Sequence, residues 1–302
     1  MTGAGGFLGQ YVLAQLVQRR IDVVVLGRTR PSGFNGDFLP VDLLQLEDIS
    51  KIIKRASATH MMHMAWYTEH GKYWTSFLNF RWLESTARLV EQFCVAGGEK
   101  VVVTGTCAEY DWSIGYCRED GSPLNPATVY GKVKDATRRL VAAICSTYQV
   151  PCAWGRIFIP YGSGEDSRRL IPSLIEVFQQ KREPFGVNGT AYRDFLHADD
   201  VATGLLELLF SDADGCYNVS SGQPVQIADL VRLIAQAFNG NVGKVLDLAT
   251  ERPGEPEILV GDNRKLKALG WRPRHIFEDM SDFHAMNGKS GAHPLSPANT
   301  LK

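Results

Sequence analysis

The sequence lacks paired metal-ligating motifs. Its six cysteines (Cys94, Cys107, Cys117, Cys145, Cys152 and Cys216) form no CxxC pair. The close histidines His60 and His63 would point to opposite faces of a strand. Reduced thiols and no structural metal are expected. Also missing is any run of about 18 apolar residues, and no charged N-terminal region leads into an apolar stretch and cleavage site. The expectation is a cytoplasmic chain with no membrane segment. Nor is there charge of one sign. A net charge of -1 over 302 residues leaves no footprint for nucleic acid or an anionic membrane. Internal repeats are absent.

What is present is a globular composition, 44% hydrophobic and 22% charged, in a chain long enough for a large α/β unit with a smaller one. Apolar residues recur at helical spacing over 7–17, and a mostly β-branched apolar run follows at 23–26. Strands are then expected at 38–41, 60–64, 100–104 and 152–158, with helices between them at 46–55, 74–96 and 130–148. Such alternation predicts an α/β fold, a doubly wound parallel sheet of the Rossmann type over 1–160. After Tyr161 the pattern loosens. A helix at 170–180, a strand at 193–196, a helix at 199–209 and short units at 217–219, 227–238, 245 and 264–269 read as a smaller mixed C-terminal lobe over 161–285, partly interleaved with the first unit. Residues 286–302 are polar and rich in Gly, Ser and Pro, and are expected to be a disordered tail.

The chain opens Thr2-Gly3-Ala4-Gly5-Gly6-Phe7-Leu8-Gly9 directly before a helix. Glycines at 3, 6 and 9 permit a tight turn, close backbone approach to a pyrophosphate and helix packing, while the helix start offers free N–H groups to the anion. A buried strand should precede such a loop, yet only Met1 does. Without it, a gap would open between two parallel strands at about 1–3 kcal/mol per unsatisfied buried group. A natural chain that begins several residues upstream is therefore expected.

The strand at 23–26 runs into Gly27-Arg28-Thr29-Arg30. Roughly 20–25 residues past the loop, an acid would bind the ribose 2′-OH of NAD. Here a glycine and Arg28 stand instead, and Arg28 can pair with a 2′-phosphate by a charge-assisted hydrogen bond. NADP is thus preferred and NAD remains possible. The other reading of Arg28 is a solvated loop residue.

Two further pieces converge on one chemistry. Thr104-Gly105-Thr106 lies at the end of the strand expected at 100–104, and Tyr130-Gly131-Lys132-Val133-Lys134 opens a helix. Tyr130 and Lys134 lie one turn apart on a shared face. A phenol is a poor base at neutrality, but a nearby ammonium and a cofactor ribose favour its phenolate. Thr106 can hydrogen-bond the same substrate oxygen.

With TGxxGxxG, YxxxK and the strand threonine together, the chain resembles the extended short-chain dehydrogenase/reductase family of nucleotide-sugar epimerases, dehydratases and reductases, over nearly its whole length. The resemblance implies Thr106, Tyr130 and Lys134 as catalytic residues. It puts the cofactor on Gly3, Gly6, Phe7, Leu8, Gly9, Arg28 and Lys134, on Asp42 and Leu43 at the adenine, and on Ala65 within His63-Met64-Ala65-Trp66. Asn79, Tyr161-Gly162, Arg193-Asp194-Phe195, Asp199-Asp200-Val201 and Arg252-Pro253-Gly254 are further echoes. Arg193 and Arg252 would hold the substrate's diphosphate, or else be ordinary ion pairs. Glu109 and Asp111 could touch a sugar hydroxyl or be structural, and Cys107 reads as a small buried hydrophobe.

In the family's 4,6-dehydratases the catalytic threonine is followed by Asp-Glu. Here Cys107 and Ala108 stand there, so elimination lacks its proton carriers. Ile159 replaces an Asn often found two residues before the YG. Residues 262–273 resemble the CDP-abequose synthase type of 4-ketoreductase. The reading that follows is NADPH-dependent reduction of a nucleotide-linked 4-keto-6-deoxyhexose, with a 4-epimerase as the alternative and a non-catalytic NADP-binding protein as a third possibility. Relatives pair as homodimers through two long helices, here those near 74–96 and 130–148.

Overall fold

The computed structural model describes residues 1–45, 49–248, 250, 254–275, 277 and 280–287. After the glycine loop come α1 (Phe7–Gln18), β1 (Val24–Gly27), β2 (Asp37–Pro40), α2 (Ile49–Ala56), β3 (His60–His63), α3 (Leu78–Val95), β4 (Lys100–Thr106), β5 (Tyr116–Cys117), α4 (Val129–Thr147) and β6 (Cys152–Ile157). The rest of the chain adds β7 (Ile159–Tyr161), α5 (Leu170–Phe178), β8 (Tyr192–Arg193), β9 (Phe195–His197), α6 (Ala198–Phe210), β10 (Gly215–Val219) and β11 (Val225–Gln226). It ends with α7 (Ile227–Ala237), α8 (Gly243–Leu246), β12 (Ile258–Gly261), α9 (Arg264–Ala268) and α10 (Met280–Asn287).

The main sheet is parallel throughout. β2 pairs with β1, and β3, β4, β6 and β10 follow in that spatial order. Between the two groups sits the chain start: Thr2 bridges both Leu26 and His63, and the Met1 amino group donates to the Val24 carbonyl at 2.8 Å. The gap expected from the sequence is thus occupied at its C-terminal end, next to the glycine loop. Side chains alternate across the sheet. Val102 packs with Val12 and Leu16 of α1 and Leu205 of α6, whereas Val101 and Val103 pack with Leu89 and Val90 of α3 and Val141 of α4. Both faces are covered, which is why these strands read as continuous apolar runs.

The smaller lobe gathers Leu174, Val177, Leu230, Val231, Ile234, Val245 and Phe283 into its own core, beside a mixed sheet of order β11, β8, β12, β5. Two expectations are corrected. The helix near 199–209 and the strand near 217–219 belong to the large unit: α6 packs on the sheet beside α1, and β10 pairs with β6 in register from Gly215↔Ala153 to Val219↔Ile157. Hydrophobic period identifies an element but not its partner. The strand expected at 193–196 splits at Asp194, whose carboxylate turns back to accept from the Ser221, Gly222 and Gly261 amides. β8 then joins the lobe sheet while β9 pairs with β7. Of the expected tail, 286 and 287 close α10 and the remainder lies outside the described residues. Among the described residues no helix is long and apolar enough to cross a membrane.

Candidate active site

The strand ends of the main sheet and the loops after them bound a cleft of about 1390 Å³. A small-molecule site typically occupies about 300–1,000 Å³, so this one has room for more than one ligand. At its floor the glycine loop is forced by contact. Gly3 has φ +73°, and a Cβ there would lie 2.6 Å from the Ala65 amide nitrogen. A Cβ on Gly9 would collide with the Gly3 carbonyl oxygen. Helix α1 has Gly6 at its N-cap, so no side chain caps it, and no acidic residue lies in its first turn. Its N-terminal amides therefore face the cleft without an internal anion, and the cradle fits a dinucleotide pyrophosphate.

Every cofactor residue expected from the sequence lines this cleft: Gly3, Gly6, Phe7, Leu8, Gly9, Arg28, Asp42, Leu43, Ala65 and Lys134. Arg28 is exposed on the rim just past β1. Asp42 accepts from the Leu44 amide at 3.0 Å, which shapes the turn after β2. The wall at Ala65 is set by Thr2, whose Oγ1 accepts from the Met64 and Ala65 amides. The Thr2 proton then goes to His63 Nδ1 at 2.7 Å, and His63 Nε2 donates to Thr86 at 2.9 Å. Burial holds the His63 pKa at about 3, so the imidazole stays neutral. An unfolded imidazole takes up its proton below about 6.5. Stability should therefore fall as pH drops from about 6.5 toward 3. Urea midpoints at neutral and acid pH read this, and the His63→Gln variant should show the shallower loss; equal acid slopes would remove His63 from the account.

Tyr130 is placed by the start of α4. Thr128 caps the helix by accepting from Gly131 N at 3.0 Å, and the Tyr130 amide donates to the Trp74 carbonyl at 3.1 Å. Helix and turn approach so closely that a Cβ on Gly131 would strike the Ala108 carbonyl oxygen. The phenol ring packs edge-on against Tyr73 at 4.9 Å and Trp74 at 5.7 Å, and its hydroxyl lies near enough to Thr106 for that side chain to favour the ionised form. One turn on, Lys134 is almost fully buried, donates to the Thr104 carbonyl at 2.7 Å and lies 3.9 Å from the Trp66 ring centroid. Thr106, Tyr130 and Lys134 all line the cleft that holds the glycine loop.

Electrostatically the pair differs from the sequence expectation. Burial, reinforced by Tyr73, raises the Tyr130 pKa well above its ordinary value, with Thr106 opposing. The ammonium instead engages Thr104 and Trp66, and burial lowers Lys134 to about 7. Burial thus favours the protonated form of the phenol in the chain by itself.

Arg193 reaches the cleft with its guanidinium donating to Glu255 and to the Tyr192 carbonyl, both at 2.8 Å. Arg252 lies outside the described residues. Glu109 is structural: fully buried, it accepts from the Thr106 amide, Trp154 Nε1 and Arg156 Nε at 2.7–2.9 Å. Asp111 caps a short turn by accepting from Ser113 and Asn125. Neither lines the cleft. The buried Cys107 thiol is pushed up to about 12, which suits packing and not nucleophilic attack. The sequence reading missed the aromatic wall of Tyr73, Trp74, Trp82 and Trp112, and the cleft-lining Arg169, whose charge favours the ionised form of Tyr73. Trp74 was assigned to a helix that begins only at Leu78.

His197, His275 and Asp282 bring potential ligand atoms within 4.8 Å of one another. His197 Nδ1, however, accepts from the Asp199 amide, and Asp199 and Asp282 raise His275 to about 10. In the chain by itself, His275 is protonated and pairs with Asp282 at 3.2 Å as an ion pair.

A parallel α/β sheet with a glycine cradle and a Thr-Tyr-Lys constellation at its C-terminal edge defines a dinucleotide-dependent oxidoreductase fold. Residues 1–220 match the model of the NAD dependent epimerase/dehydratase family, and the chain belongs to that family. Among similar proteins, UDP-glucose 4-epimerase 1 of Oryza sativa subsp. japonica is 28% identical, covering 93% of this chain and 91% of the relative. The dTDP-6-deoxy-L-talose 4-dehydrogenase (NAD(+)) of Aggregatibacter actinomycetemcomitans is 24% identical over 76% of this chain and 87% of its own. The structure of MoeE5 in complex with UDP-glucose and NAD superposes with a TM-score of 0.79 at 25% identity, covering 93% of this chain and 95% of that one.

Proposed function

We propose that the chain reduces a nucleotide-linked 4-keto-6-deoxyhexose at C4 with NADPH. The observation that carries this reading is the single cleft shared by the glycine cradle and the Thr106, Tyr130 and Lys134 side chains. A bound dinucleotide supplies the hydride. The cradle and the α1 N-terminus hold its pyrophosphate, and Arg28 on the rim meets a 2′-phosphate. Tyr130, kept protonated by burial, gives its proton to the alkoxide that develops at O4, while Thr106 orients that oxygen. Arg193, with Arg252 by resemblance, faces the substrate diphosphate. Cys107 and Ala108 offer no acid–base pair, so water elimination is disfavoured.

The relative named UDP-glucose 4-epimerase, matched over 93% of the chain, favours C4 epimerisation as the second reading. A panel of nucleotide 4-keto-6-deoxysugars with NADPH separates the two. Loss of NADPH absorbance indicates reduction, and product without loss indicates epimerisation. For the cofactor, Arg28→Ala should weaken NADPH binding about ten- to hundredfold and leave NADH unchanged. An equal effect on both cofactors, read by fluorescence titration, would refute the 2′-phosphate assignment. A homodimer accompanies this reading: α3 leaves Leu78, Phe80 and Val95 exposed, and α4 leaves Leu140 exposed.

A further inference from the structure

Trp66 is fixed on two sides. Its indole N–H donates to Asn79 Oδ1 at 2.9 Å, and its ring stacks on Trp82 with centroids 6.1 Å apart. Asn79 is itself fully buried and donates through Nδ2 to the Tyr73 and Ser76 carbonyls. Swinging the indole away would break a buried network. So anchored, Trp66 turns its face toward Lys134, with Nζ 3.9 Å from the ring centroid. The second indole, Trp154, lies 5.5 Å from the same nitrogen.

We propose that Trp66 is a positioning residue whose anchored indole keeps the Lys134 ammonium charged and aimed into the cleft. The inference rests on Lys134 acting at the site as described above. A carboxylate in this place would also hold the ammonium, but it would cancel the positive field that the Tyr130 hydroxyl and a bound ribose require. The face of an indole attracts a cation through its quadrupole and adds no net negative charge. Burial opposes the charged form of Lys134, and Trp66 works against that burial. The other charged or titratable groups that face Lys134 are Glu109, from the turn after β4, which favours the ammonium; His63 of β3, which is neutral; and Tyr130 on its own helix. Without the indole, the ammonium gives up its proton at lower pH. The alkaline limb of any activity that needs it then moves to lower pH.

Competitive acetylation of Lys134 with acetic anhydride across a pH series, read on its peptide by mass spectrometry, measures that titration without relying on turnover. In Trp66→Leu the midpoint should fall by about 0.5–1.5 pH units relative to wild type, and Trp66→Phe should recover about half of the difference. Trp66→Met carries the comparison if the leucine variant does not fold. With a substrate in hand, kcat should fall and its alkaline limb should move by the same interval, while KM changes little. An unmoved Lys134 midpoint in the aliphatic variants overturns the inference, whatever happens to the rate. A shifted midpoint in a protein that turns over no nucleotide sugar removes the functional reading and leaves the role of Trp66 standing.

Discussion

Replacing Tyr130 by Phe is expected to lower turnover about 10²–10⁴-fold while NADPH still binds with its wild-type affinity. The substitution deletes one oxygen and keeps the ring, so the edge-on packing against Tyr73 and Trp74 survives. The glycine cradle proposed for the dinucleotide belongs to other elements and is untouched. Because burial keeps this phenol protonated, the variant loses the proton donor for the alkoxide and not merely a hydrogen bond. Thr106 cannot substitute, since a hydroxyl of ordinary acidity that already caps the following turn can orient an oxygen but is a poor proton source. Single-turnover kinetics with bound NADPH should place the loss in the chemical step. A rate within threefold of wild type would take Tyr130 out of the mechanism.

The order of elements and the residues of the cleft floor were legible in the sequence because each rests on local physics. Glycines at 6 and 9 both face the Gly3 carbonyl oxygen within the same loop, and Tyr130 and Lys134 share a helical face by period alone. What escaped depends on long-range packing. Trp66 looked like one more residue of the wall after β3, and nothing local says that its ring meets an ammonium 68 positions away or that Asn79 pins it. Arg169 carries no motif and enters the cleft because α5 starts there. β10 was assigned to the wrong unit for the same reason, since its register with β6 is fixed only in three dimensions. The burial of Tyr130 among Tyr73, Trp74 and Trp112, which raises its pKa in the chain by itself, is likewise a product of packing that no spacing rule reveals.

Glu109→Ala is expected to destabilise the fold by about 3–5 kcal/mol, the range for removing one partner of a buried ion pair. Glu109 and Arg156 are 0% and 1% exposed and meet at 2.7 Å. Without the carboxylate, the Arg156 guanidinium keeps only the Tyr110 hydroxyl at 3.0 Å and the face of the Tyr110 ring. The half-buried Thr106 amide and the buried Trp154 Nε1 also lose their acceptor. The charge itself need not stabilise the fold, because taking two ions out of water offsets most of their attraction. Glu109→Leu combined with Arg156→Met should therefore recover much of what the single change costs, and urea unfolding of the single and double variants measures both. A single variant within 0.5 kcal/mol of wild type, or a double variant no better than the single, would falsify this account. Activity should respond differently from stability: the double variant still lacks the bond that holds the Thr106 amide, so its kcat should remain depressed even where its fold is restored.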